Sequence, residues 1–469
     1  MIGDIFPLSH RIFHFLRSFR TAAGKMPCLS NASGRSRRLG GRLTFVAFVV
    51  VVALAPAVGA QAMMAPTQSR DASVARDSNE RERETPAEEA ADRARRDVPD
   101  NQADVSETEE ASDTESLEVN DEGGPASQGP MDLALDREGH EFRAGELVMV
   151  ADAADAARIE RLGVAIIERR RLGGLGGFLI RIESPNSEAS AGLRDKLRLA
   201  APAAAVDLNH VYRLAAAISS ERPAASPSGR TMHSGMVGLL DTAVDPHWPG
   251  LGRSVVEARS FAPSASAKPI HGAAVAYLAA RQGARILAAG VFSRTPDGGD
   301  AASVDAMARA VDWLVSRDVA VINLSLAGPP NSALAEIIRR AQQHGCLVVA
   351  AAGNAGPAAP PAYPAAYPSV VAVTAVDSAD NPYVYANRGG YIMFAARGVD
   401  IAVPAKNQTP AVLSGTSFAA PVVAALAATK LDHPDPARAA NAIESLKRDA
   451  KHLGLPGRND VFGYGRLGD

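Results

Sequence analysis

Cysteine is nearly absent from this 469-residue chain, which holds only Cys28 and Cys346. Cys28 falls in a leader-like segment, so a mature chain keeps one thiol and can close no internal disulfide. Cys346 opens an apolar run in "HGCLVVAAAGN", where a small buried hydrophobe is the default, and no catalytic role is assigned to it. A strong charge of either sign is also missing. The formal net charge of −3 argues against a general nucleic-acid binder. No zinc-protease HExxH motif occurs at His140, because "HEFRA" has Ala144 where the second histidine is required. No internal repeat of about 20–50 residues is visible.

Aromatic residues are absent between Gln61 and His140, and from Asp71 to Glu122 acidic residues outnumber basic ones by 19 to 6. Such a stretch buries too little apolar surface to offset its ordering entropy. Residues 63–140 therefore read as a disordered acidic linker, with an acidic binding tail as the alternative. Upstream, the basic "RSRRLGGR" precedes the apolar run Leu43–Val58, followed by small residues at Ala60 and Ala62. This is the pattern of a secretory signal over residues 1–62. The run is short for a spanning helix, although an uncleaved membrane anchor through 43–58 is the other reading. The expected location is periplasmic or extracellular.

Residues 141–214 change character. "GELVMVA" reads as a strand, "DAADAARIERLG" as a helix, "VAIIERRRL" and "GGFLIRIES" as strands, "SEASAGLRDKLRLA" as a helix and "AAVDLNHVYRL" as a last extended piece. That βαββαβ order suits a small α+β sandwich. Residues 215–234, rich in Ala, Ser, Pro and Arg, read as an exposed linker. Across 235–469, apolar strands such as "MVGLLD", "ARILAAGVF" and "CLVVAAAG" alternate with amphipathic helices. The fold class is α/β: a parallel sheet with helices on both faces, where functional residues gather at strand C-terminal ends and helix N-termini.

Four polar residues stand at those ends. Asp241 follows "MVGLL", His271 opens an alanine-rich helix in "KPIHGAAVAYLAA", Asn354 follows a strand in "VVAAAGNAGP", and Ser417 opens an apolar helix in "SGTSFAAPVVAALAA". Each has an ordinary explanation. Asp is a common turn residue, His can open a helix, Asn tolerates a left-handed turn, and Ser or Thr caps helices. Their joint occurrence points instead to nucleophilic catalysis. A serine needs a nearby imidazole to take its proton, and a carboxylate to fix the imidazole tautomer.

Over about residues 235–465 the sequence resembles the subtilisin-like serine proteases. "SGTSFAAP" and "AAGNAGP" carry the resemblance most specifically, "LLDTAVD" and "IHGAAVA" more loosely. The order Asp, His, Ser is that of the family. Ala243 and Ala273 stand where the family usually has glycine and threonine. The resemblance implies a triad of Asp241, His271 and Ser417, with an oxyanion hole from the Asn354 side chain and the Ser417 backbone N–H. It also implies that Ser325, Leu326, Ala327 and Gly328, in "INLSLAGPP", pair with an extended peptide substrate. Ala351, Ala352 and Gly353 would line the pocket for the residue before the cut. The plain alternative is that both runs are ordinary buried sheet edges.

In this family a ferredoxin-like propeptide templates folding and occupies the active site. "DLNHVYRL" resembles its last strand, and an unrelated accessory domain is the alternative. The expected product is a secreted endopeptidase made as a zymogen, acting on extended or unfolded polypeptides and bound by its own propeptide. An inactive, peptide-binding member of the same fold is the rival. The acid-active sedolisin group shares Ser-Gly-Thr-Ser but uses Glu as base and Asp at the oxyanion site, unlike His271 and Asn354. The chemistry requires no cofactor. "PDGGD" (Pro296–Asp300) offers two carboxylates, too few for a calcium assignment.

Overall fold

The computed structural model describes residues 131–215, 217–219, 235–266, 268–406 and 409–468. The expected signal, the linker before Met131 and residues 220–234 lie outside the described residues. The first strands are β1 (Leu133–Leu135) and β2 (Glu141–Ala151), paired antiparallel. After them come α1 (Ala153–Glu160), β3 (Ile166–Arg171), β4 (Phe178–Glu183), α2 (Ser187–Ala200) and β5 (Ala205–Leu214). Residues 131–140, expected as part of the acidic linker, belong instead to the fold, with β1 paired to β2. Met131 is buried beside Val211 and Ala301, giving this stretch the apolar anchor that the acidic run lacks.

The strands run in the order β5-β2-β4-β3, all antiparallel, with the βαββαβ connectivity read from the pattern. Asp152 and Asn186 cap the two helices by accepting from the backbone N–H of Asp155 and Ala189. Strand alternation decides what each face of β2 meets. Leu147, Met149 and Ala151 pack with Ile159 and Leu197 of the two helices. Val148 and Val150 point the other way, into a second cluster.

That cluster belongs to the C-terminal part of the chain. Its elements begin with β6 (Ala217–Ser219), β7 (Met236–Asp241), β8 (Val255–Ser260), α3 (Pro269–Arg281) and β9 (Arg285–Gly290). Next are β10 (Phe292–Arg294), β11 (Asp300–Ser303), α4 (Val304–Ser316), β12 (Val321–Leu324), β13 (Leu326–Ala327) and α5 (Ser332–His344). The chain continues through β14 (Leu347–Ala351), β15 (Val371–Val376), β16 (Ile392–Arg397), β17 (Ile401–Val403), β18 (Ala411–Ser414), α6 (Thr416–Ala428) and α7 (Pro436–Asp449).

A seven-stranded parallel sheet, β16-β15-β14-β12-β7-β9-β8, forms the centre. Alternation works here too. In β14, Leu347, Val349 and Ala351 face the helices α3 and α6, whereas Val348 and Ala350 face α4 and α5. Because Val148 and Val150 of β2 join the α4/α5 cluster, the N-terminal sheet covers those two helices from outside. Asp312 of α4 fastens this contact by accepting the backbone N–H groups of Gly173, Gly174 and Leu175 at 3.1, 2.9 and 2.9 Å.

Candidate active site

The sheet delivers the four singled-out residues to one edge. Asp241 is the last residue of β7, and His271 sits in the first turn of α3 behind Pro269. Asn354 lies three residues beyond β14, and Ser417 is the second residue of α6. All four are at C-terminal strand ends or helix N-termini of a parallel sheet, where such folds place their sites.

Asp241 and His271 form a buried pair. The Oδ1 of Asp241 accepts from His271 Nδ1 at 2.7 Å and from the Thr242 backbone N–H at 2.7 Å. A proton on Nδ1 leaves Nε2 as the bare, basic nitrogen. That Nε2 is buried and has no hydrogen-bond partner among the described residues. Gly272 donates its N–H to Thr242 Oγ1 at 2.8 Å, and a Cβ there would lie 2.3 Å from the Thr242 carbonyl oxygen, so only glycine fits. Ala243 is exposed and Ala273 is buried in the α3/α6 cluster, and the Asp–His bond forms with both present.

Ser417 is not a helix cap. The cap position of α6 is Gly415, at φ 155, and no side chain bonds the first turn there. The Ser417 hydroxyl donates instead to the backbone carbonyl of Ala215 at 2.6 Å, with the Ser325 carbonyl at 3.1 Å. The Ala215 oxygen also accepts from the Ser417 N–H at 3.3 Å and from the Asn354 amide Nδ2. Ser417 and Asn354 thus converge on one carbonyl oxygen. The Ser417 hydroxyl is turned toward that oxygen and not toward His271 Nε2.

Thr416 sets the direction of the Asn354 amide. Its backbone N–H and its hydroxyl both donate to Asn354 Oδ1, at 3.2 and 3.0 Å, and its oxygen accepts the Gly353 N–H at 3.2 Å. With Oδ1 held by α6, Nδ2 points at Ala215. The sequence motif contains Thr416, but an ordinary cap explained it equally well, so this role was not legible.

The peptide-pairing residues divide. Leu326 and Ala327 of β13 pair antiparallel with Leu214 and Arg213 of β5. Ser325 stands outside this ladder, and its hydroxyl donates to the Ser417 carbonyl at 2.9 Å. Gly328 faces Tyr212 and exchanges backbone hydrogen bonds with Tyr363. Ala351 shares an apolar cluster with Ala215, the Ala352 carbonyl accepts the Tyr391 hydroxyl, and Gly353, at φ 102, leads into Asn354. Beyond Ala215 the chain continues as β6, paired with β18 through Ala217–Ser414 and Ile218–Leu413. The expected free linker from residue 215 is corrected here: residues 215 and 217–219 are held at the site by backbone pairing.

Two carboxylates of the Pro296–Asp300 loop have protein partners. Asp297 accepts the Thr295 hydroxyl, and Asp300 accepts the Ser266 hydroxyl at 2.9 Å. Among the described residues no cluster of three or more His, Cys, Asp or Glu side chains is placed to hold a metal ion.

Comparison with known proteins gives the family. The model of the subtilase family matches residues 233–465. The chain is 31% identical over 166 residues to the minor extracellular protease Epr of Bacillus subtilis, covering 35% of this chain and 26% of Epr. It is 33% identical to subtilisin DY of Bacillus licheniformis, covering 34% of this chain and 58% of that one. It is 32% identical over 221 residues to subtilisin Savinase of Lederbergia lenta, covering 44% and 80%. Among solved structures, fervidolysin from Fervidobacterium pennivorans, a keratinolytic enzyme related to subtilisin, aligns with a TM-score of 0.55 at 18% identity. That alignment covers 73% of this chain and 63% of fervidolysin, a likeness of fold. With the parallel sheet, the four residues at its edge and these matches together, this chain belongs to the subtilase family.

Proposed function

We propose that the protein is a secreted serine endopeptidase, made as a zymogen, whose first substrate is its own bond between Ala215 and Ala216. The observation that carries this reading is the Ala215 carbonyl oxygen, held by the Ser417 N–H and Asn354 Nδ2 with the Ser417 hydroxyl beside it. His271 Nε2 takes the proton of Ser417 as its oxygen attacks the carbonyl carbon, and returns it to the leaving amine. Asp241 keeps the proton on Nδ1 and stabilises the imidazolium. Charge developing on the carbonyl oxygen falls on donors already in position, so little reorganisation is needed. The Ser417 hydroxyl must first turn from the carbonyl oxygen to Nε2, which has no hydrogen-bond partner among the described residues.

The α+β segment up to Leu214 then acts as propeptide. Its last strand fills the substrate groove against Leu326 and Ala327 by strand addition. Residues 1–62 direct export, with an anchor through 43–58 as the other outcome. The relatives named extracellular protease and subtilisin support an extracellular peptidase, and extended polypeptides are its substrates. A peptide-binding, non-cutting protein has only Ala243 and Ala273 in its favour.

The test is expression of the full chain and of Ser417→Ala. Wild type should react with a serine-directed fluorophosphonate and appear as two fragments, the second beginning at Ala216. Ser417→Ala should stay joined and unlabelled. Equal cleavage in Ser417→Ala would overturn the mechanism, and a Ser417-dependent cut at another bond would overturn the Ala215 register.

A further inference from the structure

Thr416 holds the side chain of Asn354, but the backbone that carries this side chain is held from another direction. The peptide groups on either side of Asn354 both meet Asn387, in the segment between β15 and β16. The Gly353 carbonyl accepts the Asn387 backbone N–H at 3.0 Å. The Ala355 N–H donates to Asn387 Oδ1 at 2.8 Å. The other end of the same amide, Nδ2, donates to the Pro360 carbonyl at 3.0 Å. Its oxygen meets a donor and its nitrogen an acceptor, so the orientation of the amide is fixed. Asn387 is 1% exposed.

The contact is steric as well as polar. Gly353 is at φ 102, and a Cβ there would lie 3.0 Å from Ala362 Cβ and 3.1 Å from Asn387 Cγ. The Asn387 amide therefore fills the place that a side chain at 353 would take. Further along, the Gly356 N–H donates to the Tyr385 carbonyl at 2.8 Å, so the turn 353–356 is stitched to residues 385–387 over its length. Thr416 meets the same turn through the Gly353 N–H and Asn354 Oδ1. Asn354 thus stands between two supports. The start of α6 fixes the rotation of its amide, and Asn387 fixes the backbone from which the amide projects. Among the described residues Asn387 makes no hydrogen bond to Ser417, His271 or Ala215, so its influence on the reacting groups passes through Asn354.

We propose that Asn387 is a positioning residue for the oxyanion hole, setting where Asn354 Nδ2 stands relative to the carbonyl under attack. The assignment rests on the serine-endopeptidase reading above. A donor stabilises developing charge only if it is already in place, and hydrogen bonds weaken steeply with misalignment. In Asn387→Ala the turn keeps its backbone bond to residue 387 and its bonds to Thr416. It loses the acceptor at Ala355, the tie to Pro360 and the amide packed against Gly353. Asn354 Nδ2 is then free to stand away from the oxyanion. A small displacement of a reacting or stabilising group is enough to slow a reaction strongly. Because the interaction is strongest in the transition state, its loss falls on kcat and not on KM.

The test is a double-mutant cycle on enzyme matured from the full chain, with kcat and KM measured on one peptide anilide. Asn387→Ala should lower kcat by about tenfold and move KM by less than about twofold. In an Asn354→Ala background no amide is left to position, and the same change should lower kcat by less than about twofold. If Asn387→Ala does not fold, Asn387→Ser, which keeps a polar group in the same space, takes its place in the cycle. An equal loss of kcat in both backgrounds, or a loss carried by KM alone, would overturn the positioning role and leave the protease reading standing. If Ser417→Ala keeps the parent's activity, the protease reading itself falls.

Discussion

Ser325 donates its hydroxyl to the Ser417 carbonyl at 2.9 Å, the one place in α6 where Pro421, four residues on, has no N–H to give. Pro421 lies past the first turn, so its missing donor leaves an interior carbonyl unpaired. Ser325, between β12 and β13, supplies the replacement, and Asn323 donates to its hydroxyl oxygen at 2.9 Å. The Ser417 backbone is thereby tied to the residue just before β13, the strand that pairs with β5. Ser325→Ala should cost about 1–3 kcal/mol. In a Pro421→Ala background the helix regains its own donor, and the same change should cost less. Urea unfolding of the uncut Ser417→Ala chain measures both. Purely additive losses would show that the two positions are not coupled.

Asn354→Ala should reduce kcat by about 10²–10³ while leaving fluorophosphonate labelling detectable. The magnitude is that of the oxyanion asparagine of subtilisin, a family relative, transferred to this chain. The variant also strips Thr416 of its acceptor, so part of any loss is in the order of the α6 start. Thermal unfolding alongside the kinetics separates the two, since a change in Tm without a change in kcat would mean that the amide is structural only.

Acid should loosen the contact between the N-terminal sheet and α4. Asp305 is fully buried, accepts from Asn209 Nδ2 at 2.9 Å and lies 3.1 Å from Arg309. Burial alone would raise its carboxyl, but Arg309, Arg143 and Arg181 outweigh that and hold it well below the usual carboxylate range. A depressed folded value means that its stabilisation is complete above about pH 4 and is lost as pH falls toward the folded value. At neutral pH, Asp305→Asn should cost about 1–3 kcal/mol, because it removes the buried carboxylate that Arg309, Arg143 and Arg181 share while Glu146 and Glu168 still hold them. Below about pH 4 the gap from the parent should narrow. A constant gap at every pH would rule this out.

Cys346 should be inert. Burial pushes its thiol up to about 12, and its sulfur lies 3.1 Å from the Val319 carbonyl. Native protein should resist a thiol reagent at pH 8 and react only on unfolding, and Cys346→Ser should keep full peptidase activity. Inactivation by the reagent that is absent in Cys346→Ser would contradict the serine mechanism.

Much of this site was legible in the chain because its residues follow local signals. Asp241 and Asn354 end runs whose apolar character marks buried parallel strands, and His271 and Ser417 begin helices. The βαββαβ order could be read for the same reason: alternation and caps are properties of short segments. Strands at sheet edges escaped. Of β8, "VVEARS", only one face is partly covered, so its composition does not announce a strand. β16, at the other edge, was missed as well. Residues 131–135 looked like more of the acidic linker until pairing with β2 gave them a place. What local pattern cannot carry is register between distant segments. That Ala215, among all the residues of the expected linker, meets Ser417 is decided by β5 pairing with β11 and β13, about ninety or more residues away. The same pairing puts the Tyr212 ring against Gly328, where a Cβ would lie 2.5 Å from Cδ1. The sequence by itself determined which groups could react, and the tertiary structure decided which carbonyl they face.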